Sequence, residues 1–119
     1  MDSEKQTRLS NEAVRNYKFL KEMYAYSYFP DIVVDKGRDI LVNLCIQIEQ
    51  QQPKNLEELY ELTHEATEEF NELQNDFADH DSEIETGARE CIAEDFLFIA
   101  HEYGFEEADV EELIGTRDW

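Results

Sequence analysis

Apolar side chains recur every three or four residues along most of this chain, the spacing of one face of an α-helix. Sustained alternation of apolar and polar residues is absent, and so are the Asn-Gly and Asp-Gly pairs typical of β-hairpins. The pattern predicts an all-α fold, a compact bundle of about five helices in a single domain. Residues 1–10 are polar and predict a flexible N-terminus, so the acidic helical domain is expected over residues 11–119.

The first helix is predicted over residues 12–26 and has to end before Pro30, because the residue that precedes a proline avoids the α conformation. A second helix starts between Pro30 and Asp35 and ends in the glutamine run before Pro53. Gly37 falls on its apolar stripe at a cost of about 1 kcal/mol relative to Ala. The glycine marks either a later helix start or a close approach by another backbone.

The third helix has the clearest amphipathic pattern. Asn55 is expected to cap it, with Glu58 as the reciprocal partner of a capping box. One stripe is apolar, and acids fill most of the remaining positions with hardly any base four residues away. Such a helix depends on its apolar face for stability, a face made by Leu59, Leu62 or Thr63, Ala66, Phe70, Leu73 and Phe77.

Two more helices complete the prediction. Ser82 to Glu85 reads as a capping box for a fourth helix, whose second half is apolar nearly all round and is expected at the centre of the fold. Gly104 fits a left-handed C-cap at its end. A short last helix is predicted over residues 109–116, capped by Asp109 and Glu112, and Trp119 is expected to fold back onto the core.

Charge is distributed very unevenly along the chain. Residues 1–52 hold eight acids and seven bases, whereas residues 53–119 hold twenty-two acids and three bases, which gives −1 and −19 and together the net −20. Acids of one sign repel each other in a compact state and add nothing to folding stability. The charge therefore serves solubility or a cationic partner.

Composition also indicates the cellular compartment and limits the classes of binding partner. No apolar run reaches the length of a membrane span, and the first residues lack the pattern of a signal peptide, so a cytoplasmic protein without a membrane partner is expected. Cys45 and Cys91 lie among aliphatic residues and are predicted to be buried free thiols. A pI near 4.2 argues against direct nucleic-acid binding.

Six strings of the sequence are distinctive when taken together and in this order. They are FLKEMY at 19–24, SYFPD at 27–31, VDKG at 34–37, LYELTH at 59–64, SEIET at 82–86 and EELIGTRDW at 111–119. These strings resemble a small family labelled domain of unknown function 5713. The resemblance covers nearly the whole chain after about Tyr17 and implies a bacterial, helical, single-domain protein, without an assigned activity. One departure is Gly115, where the family is expected to carry Ala, and this loosens the last helix slightly.

Candidate chemistry is sparse. Glu61 and His64 have the Glu-x-x-His spacing that di-metal carboxylate bundles use twice, but here the motif occurs once in a Glu-rich helix, where the spacing also arises by chance. No Ser-His-Asp or Cys-His arrangement and no phosphate-binding loop is legible. We therefore predict no catalytic residues, no metal and no cofactor, and expect a protein that is not an enzyme.

The segment from Tyr24 to Asp31 is the second unusual feature, because it places four aromatics within six residues. Tyrosines are favoured at interfaces, since they combine apolar area with a hydroxyl, although core packing explains them equally well. Colicin immunity proteins that inhibit nucleases use a similar combination, a Tyr-Tyr-Pro segment beside acidic helices. The residues predicted to bind a partner are Glu61, Glu65, Glu68, Glu72, Tyr24, Tyr26 and Tyr28.

These features favour an acidic protein-binding module that neutralises a basic partner, such as a toxin or a nucleic-acid-binding enzyme; an immunity or antitoxin protein is the concrete form. One alternative is an inhibitor that mimics nucleic acid, which requires two rows of acids at phosphate-like spacing. Another is a metal-dependent bundle enzyme that uses Glu61 and His64. A fourth is that the charge only keeps the domain soluble and that a partner binds the aromatic surface.

Overall fold

The computed structural model describes residues 4–119, which form seven α-helices and no strand. The predicted all-α, single-domain bundle is confirmed. None of the helices in the described residues combines the length and the apolar character needed to cross a lipid bilayer. The helices are α1 (Glu4–Thr7), α2 (Glu12–Asn16), α3 (Lys21–Ala25), α4 (Asp31–Gln51), α5 (Leu56–Asp79), α6 (Thr86–Glu102) and α7 (Val110–Leu113).

The three long helices α4, α5 and α6 make the body of the fold. The most extensive packing joins α4 to α5, while α6 lies against α2, α3, α4 and α7. Cys45 and Cys91 are buried free thiols, as predicted. The core is continuous, because side chains of all three long helices join one buried cluster, in which Leu41, Phe70, Phe77, Ile92 and Phe96 are among the most completely enclosed.

Helix α5 begins as the sequence predicts. The Asn55 side chain accepts the Glu58 N–H at 2.9 Å. The Glu58 carboxylate reaches back by one residue further than a standard capping box and accepts the Lys54 N–H at 2.9 Å. The predicted apolar stripe is buried along the whole helix.

Gly37 lies inside α4, because this helix already begins at Asp31. A Cβ on Gly37 would come within 2.9 Å of Leu20 Cδ1 and 3.1 Å of Phe70 Cε1. The glycine therefore admits two buried side chains, and the predictions of a later helix start and of an approaching backbone were both wrong.

The predicted helix over residues 12–26 is broken into α2 and α3. Leu20 has left-handed backbone angles, φ 58° and ψ 33°. Its N–H donates to the carboxylate of Asp95 on α6 at 2.7 Å instead of to a carbonyl of its own helix. Phe19 and Leu20, which meet at this corner, are both buried.

The start of α6 also differs from the prediction. Its N-cap is Glu85, whose carboxylate accepts the Ala88 N–H at 2.9 Å. Ser82 instead belongs to the end of α5, since its N–H donates to the Phe77 carbonyl at 2.8 Å. The predicted end of the helix is confirmed: Gly104 has φ +93°, and the Phe105 N–H donates to the Ala100 carbonyl at 2.8 Å.

The predicted flexible N-terminus has contacts with the domain over its described part, residues 4–10; residues 1–3 of that prediction lie outside the described residues. Gln6 is buried, and its amide donates to the carbonyls of Val14 at 2.9 Å and Tyr17 at 2.6 Å. Leu9 joins the core. The burial of Gln6 and Leu9 was not predicted, because both residues have charged neighbours in the sequence.

The C-terminal segment closes the core. Helix α7 is shorter than predicted, and Asp109 stands at its N-cap without a side-chain hydrogen bond to the helix. Trp119 folds back as expected and is buried, with its ring centroid 6.1 Å from that of Phe70.

Candidate functional site

Helix α5 presents a row of acids to solvent. Glu61, Glu65, Glu68 and Glu72 are all exposed, and at 3.6 residues per turn they fall within about 60° of arc on the side opposite the buried stripe. The rise of about 1.5 Å per residue makes the row about 17 Å long. We call these four residues the acidic face.

The acidic face has no ion-pair partner among the described residues. The two ion pairs found there join Lys36 to Asp76 and Arg117 to Glu111. Partial burial and the neighbouring carboxylates of Glu72 and Glu65 raise the pKa of Glu69. The acids of α5 therefore repel one another and leave their charge available to the surroundings.

The three tyrosines predicted to bind a partner are not brought together. Tyr24 is half-buried, and its hydroxyl donates to Asp35 at 2.5 Å. Tyr26 and Tyr28 are 65% and 47% exposed. Tyr24 therefore belongs to the packing of α3 on α4, whereas the other two tyrosines are open to solvent.

Tyr26 and Tyr28 line a groove of about 470 Å³ between α3, the turn that follows it and the first half of α6. Its apolar lining comes from Met23, Phe29 and Cys91, all of which are buried. Phe29 is fixed by edge-on contacts with the Tyr28 ring at 5.0 Å and the Phe77 ring at 6.2 Å. We call this feature the tyrosine groove.

Four carboxylates surround the tyrosine groove, and no base is among its described lining residues. Glu22 comes from α3, Glu85 caps α6, and Glu90 and Glu94 stand one turn apart on α6. All four are exposed. Sequence reasoning missed this set, although the four-residue spacing of Glu90 and Glu94 already placed them on one face of a predicted helix.

The Cys91 thiol that lines the groove is unreactive. Burial, and then the charge of Asp95, raise the pKa of the Cys91 thiol to about 11. A thiol that is protonated at neutral pH is a poor nucleophile and a poor metal ligand. Cys91 therefore serves as apolar lining.

Asp95 is a buried carboxyl that the sequence did not reveal as a special residue. Its two oxygens accept hydrogen bonds from the Leu20 N–H at 2.7 Å and the Tyr17 hydroxyl at 2.8 Å. Burial raises its pKa to about 6, while these hydrogen bonds act in the opposite direction. A raised pKa is common at active sites. Here, however, both oxygens of Asp95 stabilise the corner between α2 and α3, so its role is structural.

His64 has a structural partner. Its Nε2 donates to the Glu112 carbonyl at 2.7 Å, and its ring stacks on Tyr60. This contact ties α5 to α7. Within residues 4–119, no three side chains of His, Cys, Asp or Glu converge in a way that would hold a metal ion.

Comparison with known families identifies the chain. A family model described as Family of unknown function (DUF5713) matches residues 13–119, and the chain therefore belongs to this family. No curated protein and no solved structure matches.

Proposed function

We propose that this protein is an acidic binding module that associates with a basic protein and thereby blocks or chaperones it. The observation that carries the proposal is the acidic face, four exposed carboxylates in one row without an ion-pair partner among the described residues. Unbalanced charge in this arrangement costs folding stability and speeds association with a partner of opposite sign.

The proposal gives the protein no catalytic role. The Cys91 thiol is protonated, and the Asp95 carboxyl accepts two hydrogen bonds. His64 donates a hydrogen bond to a backbone carbonyl. The concrete form that we favour is an immunity-like or antitoxin-like protein acting on a basic toxin. A nucleic-acid-binding enzyme is another basic protein of the required kind.

The test starts from partners captured with the full chain from the cells that produce it, followed by kinetic measurements with the purified partner. We expect Glu61→Gln, Glu65→Gln, Glu68→Gln and Glu72→Gln together to slow association about tenfold at low salt, because steering acts on the on-rate. The dependence of the on-rate on ionic strength should flatten in the same variant.

A matched control keeps the charge change and moves its location. Glu12, Glu83, Glu106 and Glu107 are exposed and lie outside α5, so changing all four to Gln alters the net charge equally. This control should slow association far less than the acidic-face variant. Equal slowing would show that only the net charge matters, and unchanged rates in both variants would refute the proposal.

A further inference from the structure

The exposed large apolar side chains of residues 4–119 are concentrated in one short stretch. They are Tyr26, Tyr28 and Ile32, with exposed fractions of 65%, 47% and 61%. Two of the three line the tyrosine groove. A domain that buries its other large apolar residues has no folding reason to leave these three in solvent, since exposed apolar surface is typical of interaction sites.

The chemistry of the groove suits a particular occupant. Tyrosine rings offer π faces, which attract cations, and Glu90 and Glu94 offer paired carboxylates on the opposite wall. An arginine guanidinium is planar, stacks on aromatic rings and binds carboxylates through two parallel hydrogen bonds. A lysine ammonium is more strongly hydrated and lacks this planar match.

We propose that the tyrosine groove binds a cationic segment of a partner protein, with an arginine side chain held between the tyrosines and the Glu90–Glu94 pair. This inference rests on the proposed function and identifies where the basic partner docks. It moves the docking site away from α5, whose acidic face then acts at longer range on the rate of encounter.

A second copy of this chain is a poorer occupant. Each copy would bring the four groove carboxylates and a net charge of −20 to the contact. Like charges brought together at an interface cost several kcal/mol on general grounds. The neighbouring groove shares Glu22, Cys91 and Glu94 with the tyrosine groove and adds Lys18 and Lys21, whereas Glu85 and Glu90 line the tyrosine groove and not this neighbour.

The experiment uses a blocked hexa-arginine peptide as the probe, with hexa-lysine and free arginine amide for comparison, in calorimetric titrations at about 0.15 M NaCl, where charges more than roughly 8 Å apart are screened. Glu90→Gln with Glu94→Gln should weaken hexa-arginine binding at least tenfold. Tyr26→Ser should weaken it about threefold, as expected for a cation–π contact at an exposed site.

The matched control is Glu106→Gln with Glu107→Gln, which changes the charge equally at two exposed residues outside both the tyrosine groove and the acidic face. It should alter the affinity for hexa-arginine less than twofold. Hexa-lysine should bind the unmodified protein at least threefold more weakly than hexa-arginine. Amide shifts in a nuclear magnetic resonance titration should concentrate in residues 22–32 and 85–94, and thermal melts followed by circular dichroism should show every variant folded.

Each contrary result has a distinct meaning. No binding of hexa-arginine, or equal losses in the groove pair and the control pair, would overturn the groove as a docking site while leaving the proposed function intact. If free arginine amide binds as tightly as the peptide, the ligand of the groove is a small cation, and the proposal that it is a protein segment is overturned. If hexa-arginine binds the groove but no basic protein is captured from cells, the proposed function fails and only the affinity of the groove for cations stands.

Discussion

Helix α5 runs unbroken for 24 residues, whereas the chain between residues 12 and 26 forms two helices of five residues each around a left-handed corner. In α5 the backbone groups bond within the helix, and its long apolar stripe is satisfied by packing on α4. In the broken segment the Leu20 N–H donates a hydrogen bond to a distant side chain, that of Asp95. The local sequence pattern therefore accounts for the unbroken helix α5, whereas a tertiary hydrogen bond accounts for the break between α2 and α3.

The largest effect should come from the packing that holds α5. Phe70 and Phe96 are fully buried, with ring centroids 6.0 Å apart. Phe70→Ala or Phe96→Ala should each lower the free energy of unfolding by about 3–5 kcal/mol, because a ring is lost and a cavity remains. Urea denaturation measures this, with the half-buried Phe105→Ala as a milder control. A loss below about 1 kcal/mol at both positions would contradict the packing described.

The broken segment should respond to pH, because Asp95 titrates near neutrality. Its pKa is 3.8 in the unfolded chain and about 6 in the fold, so the folded state binds the proton more tightly. Stability from this group is therefore complete below pH 4 and is lost as the pH rises to about 6 and beyond. At about 1.4 kcal/mol per pKa unit, the loss is of the order of 3 kcal/mol.

Comparison with Asp95→Asn isolates this contribution. Asparagine keeps an acceptor for the Leu20 N–H and removes the titration, so the difference in unfolding free energy between the two proteins should change between pH 4 and pH 7. The raised pKa of Glu69 acts in the same direction and the lowered pKa of Glu49 in the opposite one, but both remain in the variant. A difference that stays constant across this range would show that Asp95 does not titrate there.

The corner itself is tested by removing the acceptor. Asp95→Ala leaves the Leu20 N–H buried without a partner and also releases the Tyr17 hydroxyl, which should cost about 2 kcal/mol at pH 5 after the gain from removing a buried carboxyl is included. The neighbouring Glu94→Ala is the control, since Glu94 is exposed and should change the stability by less than about 0.5 kcal/mol. Equal effects would mean that the corner does not depend on Asp95.

The same contrast explains which predictions from the sequence succeeded. The stripe of α5, its Asn55 cap, the Gly104 C-cap and the return of Trp119 follow from residues near one another in the chain or from plain apolar burial. The α2–α3 corner needs a carboxylate 75 positions away. No local pattern contains that information, so the helix over residues 12–26 was predicted as continuous.

The candidate site likewise has one part that local spacing predicts and another that it predicts only partly. The acidic face was predicted residue by residue, because four acids at three- and four-residue spacing share one side of any helix. The tyrosine groove was half predicted: Tyr26 and Tyr28 were named, whereas Glu90 and Glu94 lie on a helix more than 60 positions further along the chain. Tyr24 was grouped with them by sequence proximity, and its bond to Asp35 assigns it to helix packing.

The smallest effect should come from the acidic face itself, where local repulsion can be removed without touching the core. Replacing its four glutamates by glutamine should raise the unfolding free energy by about 1 kcal/mol or less at low salt, since like charges three or four residues apart destabilise a helix by a few tenths each. Thermal melts between about 0.01 and 1 M NaCl, where screening lengths fall from about 30 Å to about 3 Å, should show a weaker salt dependence than the unmodified protein. The scattered variant with Gln at positions 12, 83, 106 and 107 carries the same net charge, so a difference between the two variants reports the local row and not the total. If both variants gain equally, the repulsion is spread over the whole domain and α5 is not its focus.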